Sequence, residues 1–316
     1  MKIAVIVNPR AGRGLGAEVV KEIRTVYTSP EHQLDVEETT GPGDEVRLGR
    51  QAANNGTDLL LAVGGDGTLN GAVNGLLSTG RSAEELPLLA SVPAGTGGDF
   101  ARGLGYPSDP SEVVRRLPEF VSSPIDAGRL TFGDAKEAKV RYWINQSYIG
   151  LGARVVERVN RSGRISGARA YTMASLAEAM HPRCPEYRLS TPERGEERFE
   201  ALNILVANGT HSGGGMQTAP LADLSDGRWE LILVTREAIA GATPRLKVLK
   251  NLSKFKDGSY LRLPGVRSFQ VSALGVQGGE GELVEADGEI VGHLPANYAL
   301  LPRALRVLHP AQHRKR

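Results

Sequence analysis

A parallel-sheet α/β domain followed by a mostly antiparallel, β-rich domain is the architecture this 316-residue sequence predicts. Three observations predict it. Short apolar runs alternate with longer amphipathic ones as far as about residue 120, the rhythm of right-handed βαβ units. Glycine-rich stretches, NPRAGRG (8–14), GGDGT (64–68) and PAGTGGDF (93–100), fall where strands hand over to helices. That is the end of a parallel sheet at which ligands bind. Beyond about residue 125 the helical rhythm gives way to a series of short strand candidates.

Taken in order, KIAVIVN (2–8) is a buried strand by its unbroken apolar run, and residues 15–27 carry helical spacing. HQLDVEE (32–38) reads as a strand, 44–54 as a helix, DLLLAV (58–63) as a strand, 68–78 as a helix and PLLASVP (87–93) as a fourth strand. In the second region VRYWINQSYIG (140–150), RFEALNILVANG (198–209), GRWELILVT (227–235), VRSFQVSAL (266–274), GELVEA (281–286) and EIVGHL (289–294) are strand candidates. Helices are expected around 166–180 and 243–251, and ALRVLHP (304–310) as a closing strand. The expected division is 1–124 for the α/β domain and 125–302 for the β-rich one, with 303–316 returning to the first.

Composition narrows the function classes. A hydrophobic content of 40% with 23% charged residues is that of an ordinary globular protein, and a net charge of +2 gives no reason to expect a nucleic-acid surface. The basic HRKR (313–316) reads as a solvated tail that adds weak attraction to anionic lipid. Cys184 is the single cysteine, so no internal disulfide forms, and a reducing cytosol is the expected setting. The first apolar run stops at Asn8-Pro9-Arg10, too soon for a signal peptide, and no stretch reaches the roughly 18 apolar residues of a spanning helix. The expectation is a cytoplasmic protein that touches a membrane peripherally.

The loops carry the chemistry. Gly12-x-Gly14-x-x-Ala17, with Asp35 and Glu37 some way on, formally matches a dinucleotide fingerprint. Asn8-Pro9-Arg10-Ala11 lengthen the turn, however, and fit better a loop that brings backbone N–H groups and Arg10 or Arg13 to a phosphate. A Walker-type G-x-x-x-x-G-K-[ST] and the protein-kinase HRD…DFG set are both absent. In GGDGT the glycines let backbone approach a ligand, Thr68 bonds a phosphate or caps a helix, and Asp66 either caps that helix or meets a cation or reacting hydroxyl. A carboxylate beside a phosphate calls for magnesium between them.

GGDGTLNGAVNGL (64–76) and VPAGTGGDFARGLG (92–105) resemble the signature loops of the diacylglycerol kinase catalytic-domain family, which includes bacterial lipid kinases and the sphingosine and ceramide kinases. NPRAGRG looks like that family's N-terminal nucleotide loop, NGTHSGGGMQTAPLADLSDGRWELILV (208–234) like its NG…GGGM…AP.A…DG segment, and VEADGEIVG (284–292) like its DGE motif. The resemblance implies that Gly65, Asp66, Gly67, Thr68, Leu69, Asn70 and Gly71 line ATP together with Gly95 and Thr96. Asn8, Pro9, Arg10, Ala11, Gly12 and Thr39 (in TTGPGDE) would lie nearby. It implies that Asp66 lies beside the transferred phosphate or its metal, and that Asp99 and Asp126 (in SPIDAG) extend the acidic network. It places a magnesium site at Asp223, Asp226 and the carbonyl of Arg228, and a proton acceptor at either Asp287 or Glu289.

The implied reaction is transfer of the γ-phosphate of ATP, with Mg2+, to the hydroxyl of diacylglycerol or a sphingoid-type lipid, in a cleft between the domains. Such a transfer needs positioning and charge stabilisation more than covalent chemistry. A homodimer enters by analogy alone. GGDGT is shared with NAD kinases, so phosphorylation of a soluble dinucleotide is the alternative, with a nucleotide sensor without turnover as a third reading. Gly71 and Gly98 stand where the family usually has an acid and an amide, which bears on substrate class. Apart from the resemblance, Asp287-Gly288 and Asp226-Gly227 read as hairpin turns, Gly213 to Gly215 as a flexible loop, and His181, His211 and His293 as residues without ligand spacing.

Overall fold

The computed structural model describes residues 1–95, 97–133, 137–162, 168–180, 182–235, 260–274 and 281–311. Thr96, His181, the helix expected at 243–251 and the HRKR tail lie outside them. The chain divides into two units, Met1–Asp126 with Pro302–Arg316, and Ala127–Leu301.

The first unit runs β1 (Lys2–Val7), α1 (Gly16–Val26), β2 (Gln33–Glu38), α2 (Asp44–Asn54), β3 (Leu59–Gly64), α3 (Asp66–Leu77), β4 (Leu88–Pro93), α4 (Asp99–Gly103) and α5 (Pro110–Arg116). It then enters β5 (Val121–Phe132). The strands lie in the order β2-β1-β3-β4, all parallel, with Ile3 opposite Leu59 and Leu60 opposite Leu89. Buried on both faces, β3 is apolar throughout, which is why it reads so clearly as a run. α2 and α3 pack closely: a Cβ on Gly71 would lie 2.5 Å from the Cβ of Glu45. Glycine at position 71 therefore has a local reason, the contact between two helices.

The strand expected at 304–310 is the second half of the long β18 (Ala296–His309). Val307 pairs in parallel with Leu89, and the Arg306 guanidinium donates to the carbonyls of Ala83, Glu84 and Leu86.

The second unit contains β6 (Lys139–Trp143), β7 (Gln146–Gly150), α6 (Leu151–Ser162), α7 (Ala168–Met180), β8 (Glu186–Thr191), β9 (Gly195–Glu200), β10 (Asn203–Ala207), β11 (His211–Ser212) and β12 (Met216–Gln217). β13 (Trp229–Val234), β14 (Tyr260–Val266), β15 (Ser268–Ala273), β16 (Leu283–Ala286) and β17 (Glu289–His293) follow. One sheet is antiparallel in the order β14-β13-β10-β7-β16-β17. The other pairs the first half of β18 with β15, β8 and β9, and the second half of β5 with β6, again antiparallel. Their inner faces share one core, in which Trp143 lies 5.2 Å from Trp229 and Phe269 stacks on Tyr298 at 4.5 Å.

Several expectations are corrected here. VRYWINQSYIG is two strands, broken at Ile144–Asn145, and RFEALNILVANG is two strands, broken at Ala201–Leu202. α6 was not expected at all; its first turn is held by Asn203, whose Oδ1 accepts Gly152 N–H at 2.8 Å, so its own sequence carries no cap signal. β8 was likewise absent from the expected strands, and the expected helix at 166–180 is described as Ala168–Met180.

Candidate active site

Three glycine-rich loops interlock at the carboxyl ends of β1, β3 and β4. Asn8 stands just past β1, where its Nδ2 donates to Thr68 Oγ1 at 3.4 Å and its Oδ1 accepts Arg10 N–H at 3.0 Å. Pro9 and Arg10 are exposed, and Ala11 opens a short 3-10 turn. Gly12, at φ +56°, presses against the third loop: a Cβ there would lie 2.1 Å from the carbonyl oxygen of Ala94. Gly95 in turn lies against Gly65, where a Cβ would come 2.6 Å from the Gly65 Cα. Thr39 is buried at the end of β2, its N–H bonded to Val7 O at 2.8 Å. The loop after it is tied by Asp44, which accepts from the Thr40 hydroxyl at 2.6 Å and Thr40 N–H at 2.7 Å. These bonds hold the Asp44 carboxyl down at about 2.

Asp66 does not cap α3. The helix begins at Asp66 itself, its N-cap Gly65 makes no side-chain bond, and the carboxylate reaches across to α4. Its Oδ2 accepts Gly98 N–H at 2.8 Å and Asp99 N–H at 3.2 Å, and its Oδ1 accepts Phe100 N–H at 3.4 Å. A carboxylate on one glycine loop thus fixes the backbone of another. Burial, with the nearby charge of Asp99 second, pushes the Asp66 carboxyl up against the opposing pull of those N–H groups. Gly98 sits in the left-handed region, φ +74°, which accounts for a glycine there. Asp99 pairs with Arg102 at 2.5 Å.

Of the remaining residues expected in this unit, Leu69 and Asn70 are buried within α3, and the Asn70 carbonyl and Oδ1 both accept from Asn74 Nδ2. The Leu69 side chain belongs to the core. Gly67 lies in the first turn of α3. Asp126 is fully buried and engaged with the returning strand, its Oδ1 accepting Arg303 N–H at 2.7 Å.

The second unit supplies its own acidic cluster on the β16–β17 hairpin. Ala286 pairs with Glu289, leaving Asp287 (φ +47°) and Gly288 (φ +88°) as a two-residue turn with both φ positive, so the hairpin reading of this pair holds. The turn also does more. Asp287 Oδ2 accepts Ile144 N–H at 2.8 Å, and its Oδ1 accepts those of Asn145 and Gln146, both at 3.0 Å. These bonds turn the chain between β6 and β7. Glu289 pairs with Arg141, and its side chain remains 47% exposed.

Glu285, which sequence reasoning missed, is buried beside them, accepting Tyr148 N–H at 3.0 Å and the N–H of Gly288. Burial pushes its carboxyl well up, with Asp287 adding to the effect. Three acids within five residues, EADGE, were the available signal.

Asp223 and Asp226 are exposed on the loop before β13. Asp223 Oδ1 accepts from Ser225 N–H and Oγ at 2.9 Å, and Asp226 Oδ1 accepts Arg228 N–H at 3.0 Å. Two carboxylates and the Arg228 carbonyl are oxygen donors of the kind a hard divalent cation takes, and each carboxylate here accepts hydrogen bonds from its own loop. Among the described residues no group of three or more His, Cys, Asp or Glu side chains is placed to hold a metal ion.

The comparisons with known proteins meet this geometry. The Diacylglycerol kinase catalytic domain family matches residues 2–130, and the YegS C-terminal NAD kinase beta sandwich-like domain matches residues 145–309. A Chromohalobacter salexigens protein described as "Probable lipid kinase YegS-like" is 33% identical over 88% of this chain and 85% of its own. A "Diacylglycerol kinase" of Mycobacterium tuberculosis is 29% identical over 98% and 95%.

In fold, the chain is similar to a diacylglycerol kinase from Bacillus anthracis, with a TM-score of 0.72 at 20% identity over 98% of this chain and 96% of that one. It is similar also to yeast NADH kinase complexed with NADH, with a TM-score of 0.55 at 13% identity over 99% and 84%. Matched in both halves, and by a relative 33% identical over most of its length, the chain belongs to the diacylglycerol kinase catalytic-domain family and is a kinase.

Proposed function

We propose that this kinase transfers the γ-phosphate of ATP, with Mg2+, to the hydroxyl of a diacylglycerol or sphingoid-type lipid presented at a cytoplasmic membrane surface. The observation that carries the nucleotide half is the Asp66 carboxylate, which accepts the N–H groups of Gly98, Asp99 and Phe100 and so ties one glycine loop to the next before a ligand binds. The names of its relatives support a lipid acceptor.

In this reading the glycine loops hold the triphosphate, and the acceptor oxygen attacks the γ-phosphorus as the bond to the β-phosphate oxygen breaks and ADP leaves. The acceptor proton goes to a carboxylate. Asp287 has both oxygens engaged by three backbone N–H groups. Glu289, half-exposed beside Arg141, is therefore the residue we assign as base, with Asp287 positioning the hairpin that carries it. Asp223, Asp226 and the Arg228 carbonyl would hold magnesium, which when bound neutralises phosphate charge.

The test is transfer of labelled γ-phosphate from ATP to diacylglycerol, monoacylglycerol, sphingosine, ceramide, phosphatidylglycerol and NAD. Wild type would be compared with Glu289→Gln, Asp66→Ala and the pair Asp223→Asn with Asp226→Asn. Labelled lipid that is lost in Glu289→Gln supports the reading, and a paired variant that needs more Mg2+ supports the metal assignment. Label on NAD alone, or bound ATP with no label anywhere, overturns it.

A further inference from the structure

α7 shows solvent its largest apolar side chains. Met173, Leu176 and Met180 are 62%, 47% and 61% exposed, whereas among its described side chains those it buries are Ala170, Ala174 and Ser175. At about 100° per residue these three side chains fall within an arc of roughly 60° on one side of the helix. The opposite side is committed to α6. There Ala174 and Tyr171 join an apolar cluster with Leu151 and Val155, and Glu178 receives Arg158 at 2.7 Å and Arg154 at 3.4 Å. Among the described residues the other exposed large apolar side chains, such as Leu15, Val121 and Leu221, are scattered over different elements. An outward row on a single helix is a different kind of surface.

Charge indicates what covers it. Residues 151–183 hold six arginines and two glutamates, with no lysine or aspartate, a net charge of +4 in a chain whose total is +2. Of the described arginines, Arg154 and Arg158 pair with Glu178, Arg154 also with Glu282, and Arg161, 78% exposed, with Glu157, while Arg183, just beyond the end of α7, is exposed. An apolar row in a basic neighbourhood matches an anionic lipid surface, which offers hydrocarbon below and negative charge above. A second copy of the chain fits less well. Three side chains on one convex helix are far short of the roughly 800 Å² per partner of a stable dimer, and the row has no aromatic anchor. The helix has 13 residues and is too short to span a bilayer, so it would lie along the surface.

We propose that the Met173–Leu176–Met180 row of α7 seats this protein on an anionic phospholipid bilayer. The purpose of that contact, collecting a lipid acceptor, rests on the lipid-kinase reading; the contact itself does not. The probe is co-sedimentation, without ATP, on vesicles of phosphatidylcholine alone or mixed with phosphatidylglycerol. Half-burying each side chain is worth about fivefold in partitioning, so Met173→Ser, Leu176→Ser and Met180→Ser together lower binding roughly a hundredfold. Arg183→Gln lowers binding about fivefold on the mixed vesicles only. Val121→Ser, which removes an exposed apolar side chain elsewhere, changes nothing.

Because the three positions are exposed, the unfolding midpoint of the triple variant stays at the wild-type value, and so does its turnover of a short-chain diacylglycerol dispersed in water. Wild type that fails to sediment, a triple variant that binds as well as wild type, or a row whose loss only converts dimer to monomer in light scattering would overturn the proposal. Vesicle binding without phosphorylation of any lipid would count against the lipid-kinase reading while leaving the docking face established.

Discussion

Replacing Asp287 by alanine separates a structural carboxylate from a reacting one. The change strands three backbone N–H groups, those of Ile144, Asn145 and Gln146, that now point at two carboxylate oxygens at 2.8 to 3.0 Å. Each unsatisfied buried donor costs about 1–3 kcal/mol. The site is 9% exposed, so some water reaches it, and the low end gives about 3 kcal/mol for the three. Alanine must also adopt the φ of +47° that the turn requires, which adds about 1 kcal/mol.

The sum, about 4 kcal/mol, is a large part of the 5–15 kcal/mol that holds a typical domain together. Asparagine keeps one acceptor and tolerates the left-handed backbone, so Asp287→Asn costs about half as much. The assay is urea unfolding followed by tryptophan fluorescence. Both tryptophans of the chain, Trp143 and Trp229, are buried in the second unit, so the signal reports that unit alone. Glu289→Gln should do the reverse, leaving the midpoint unchanged while lowering turnover about 10²–10⁴-fold. An Asp287→Ala protein with the wild-type midpoint and no turnover would refute the reasoning and make Asp287 the base.

Three more outcomes are expected. Gly71→Ala destabilises by about 1–2 kcal/mol, because its Cβ meets Glu45 at 2.5 Å, and it becomes stabilising in a Glu45→Gly background where the helix-propensity gain of about 1 kcal/mol survives. Thermal unfolding of the four proteins of that cycle checks this, and a stabilised single variant would mean the contact is not what selects glycine. The native Glu285 carboxyl titrates above its unfolded value of 4.5, so it contributes stability that is full below about that pH and is lost as pH rises through the native value. Glu285→Gln should flatten that decline in urea unfolding measured from about pH 5 to 8. Asp66→Ala frees the N–H groups of Gly98, Asp99 and Phe100 and should weaken ATP binding at least about tenfold by equilibrium dialysis while leaving the tryptophan-reported transition of the second unit in place.

What the sequence made legible is what is written locally. β1, β3 and β4, and the helices between them, were readable within one or two residues because each carries its own apolar run or spacing. The glycine loops were readable because glycine is costly where nothing requires it. Two of the features missed depend on distant partners. α6 starts where Asn203 accepts Gly152 N–H, and the break at Ile144–Asn145 exists because a carboxylate 143 residues away collects the amides of that turn. Asp66 offered two readings, a cap for its own helix or a group facing a ligand, and neither contained its tie to a loop 32 residues on. Glu285 was hidden because an acid in a short strand candidate normally faces water; here the strand is covered on both sides.

The long last strand has a consequence for how the molecule comes into being. The first unit draws on Arg303, whose N–H meets Asp126, and on Val307 alongside Leu89. On a ribosome, where domains generally fold as they emerge, its first 126 residues are finished early yet lack that edge until the residues near 307 are added. The β-rich unit, encoded in between, is fully synthesised first. The half of the protein that is born first is therefore the half completed last, and until then β4 offers an open edge to whatever else is at hand.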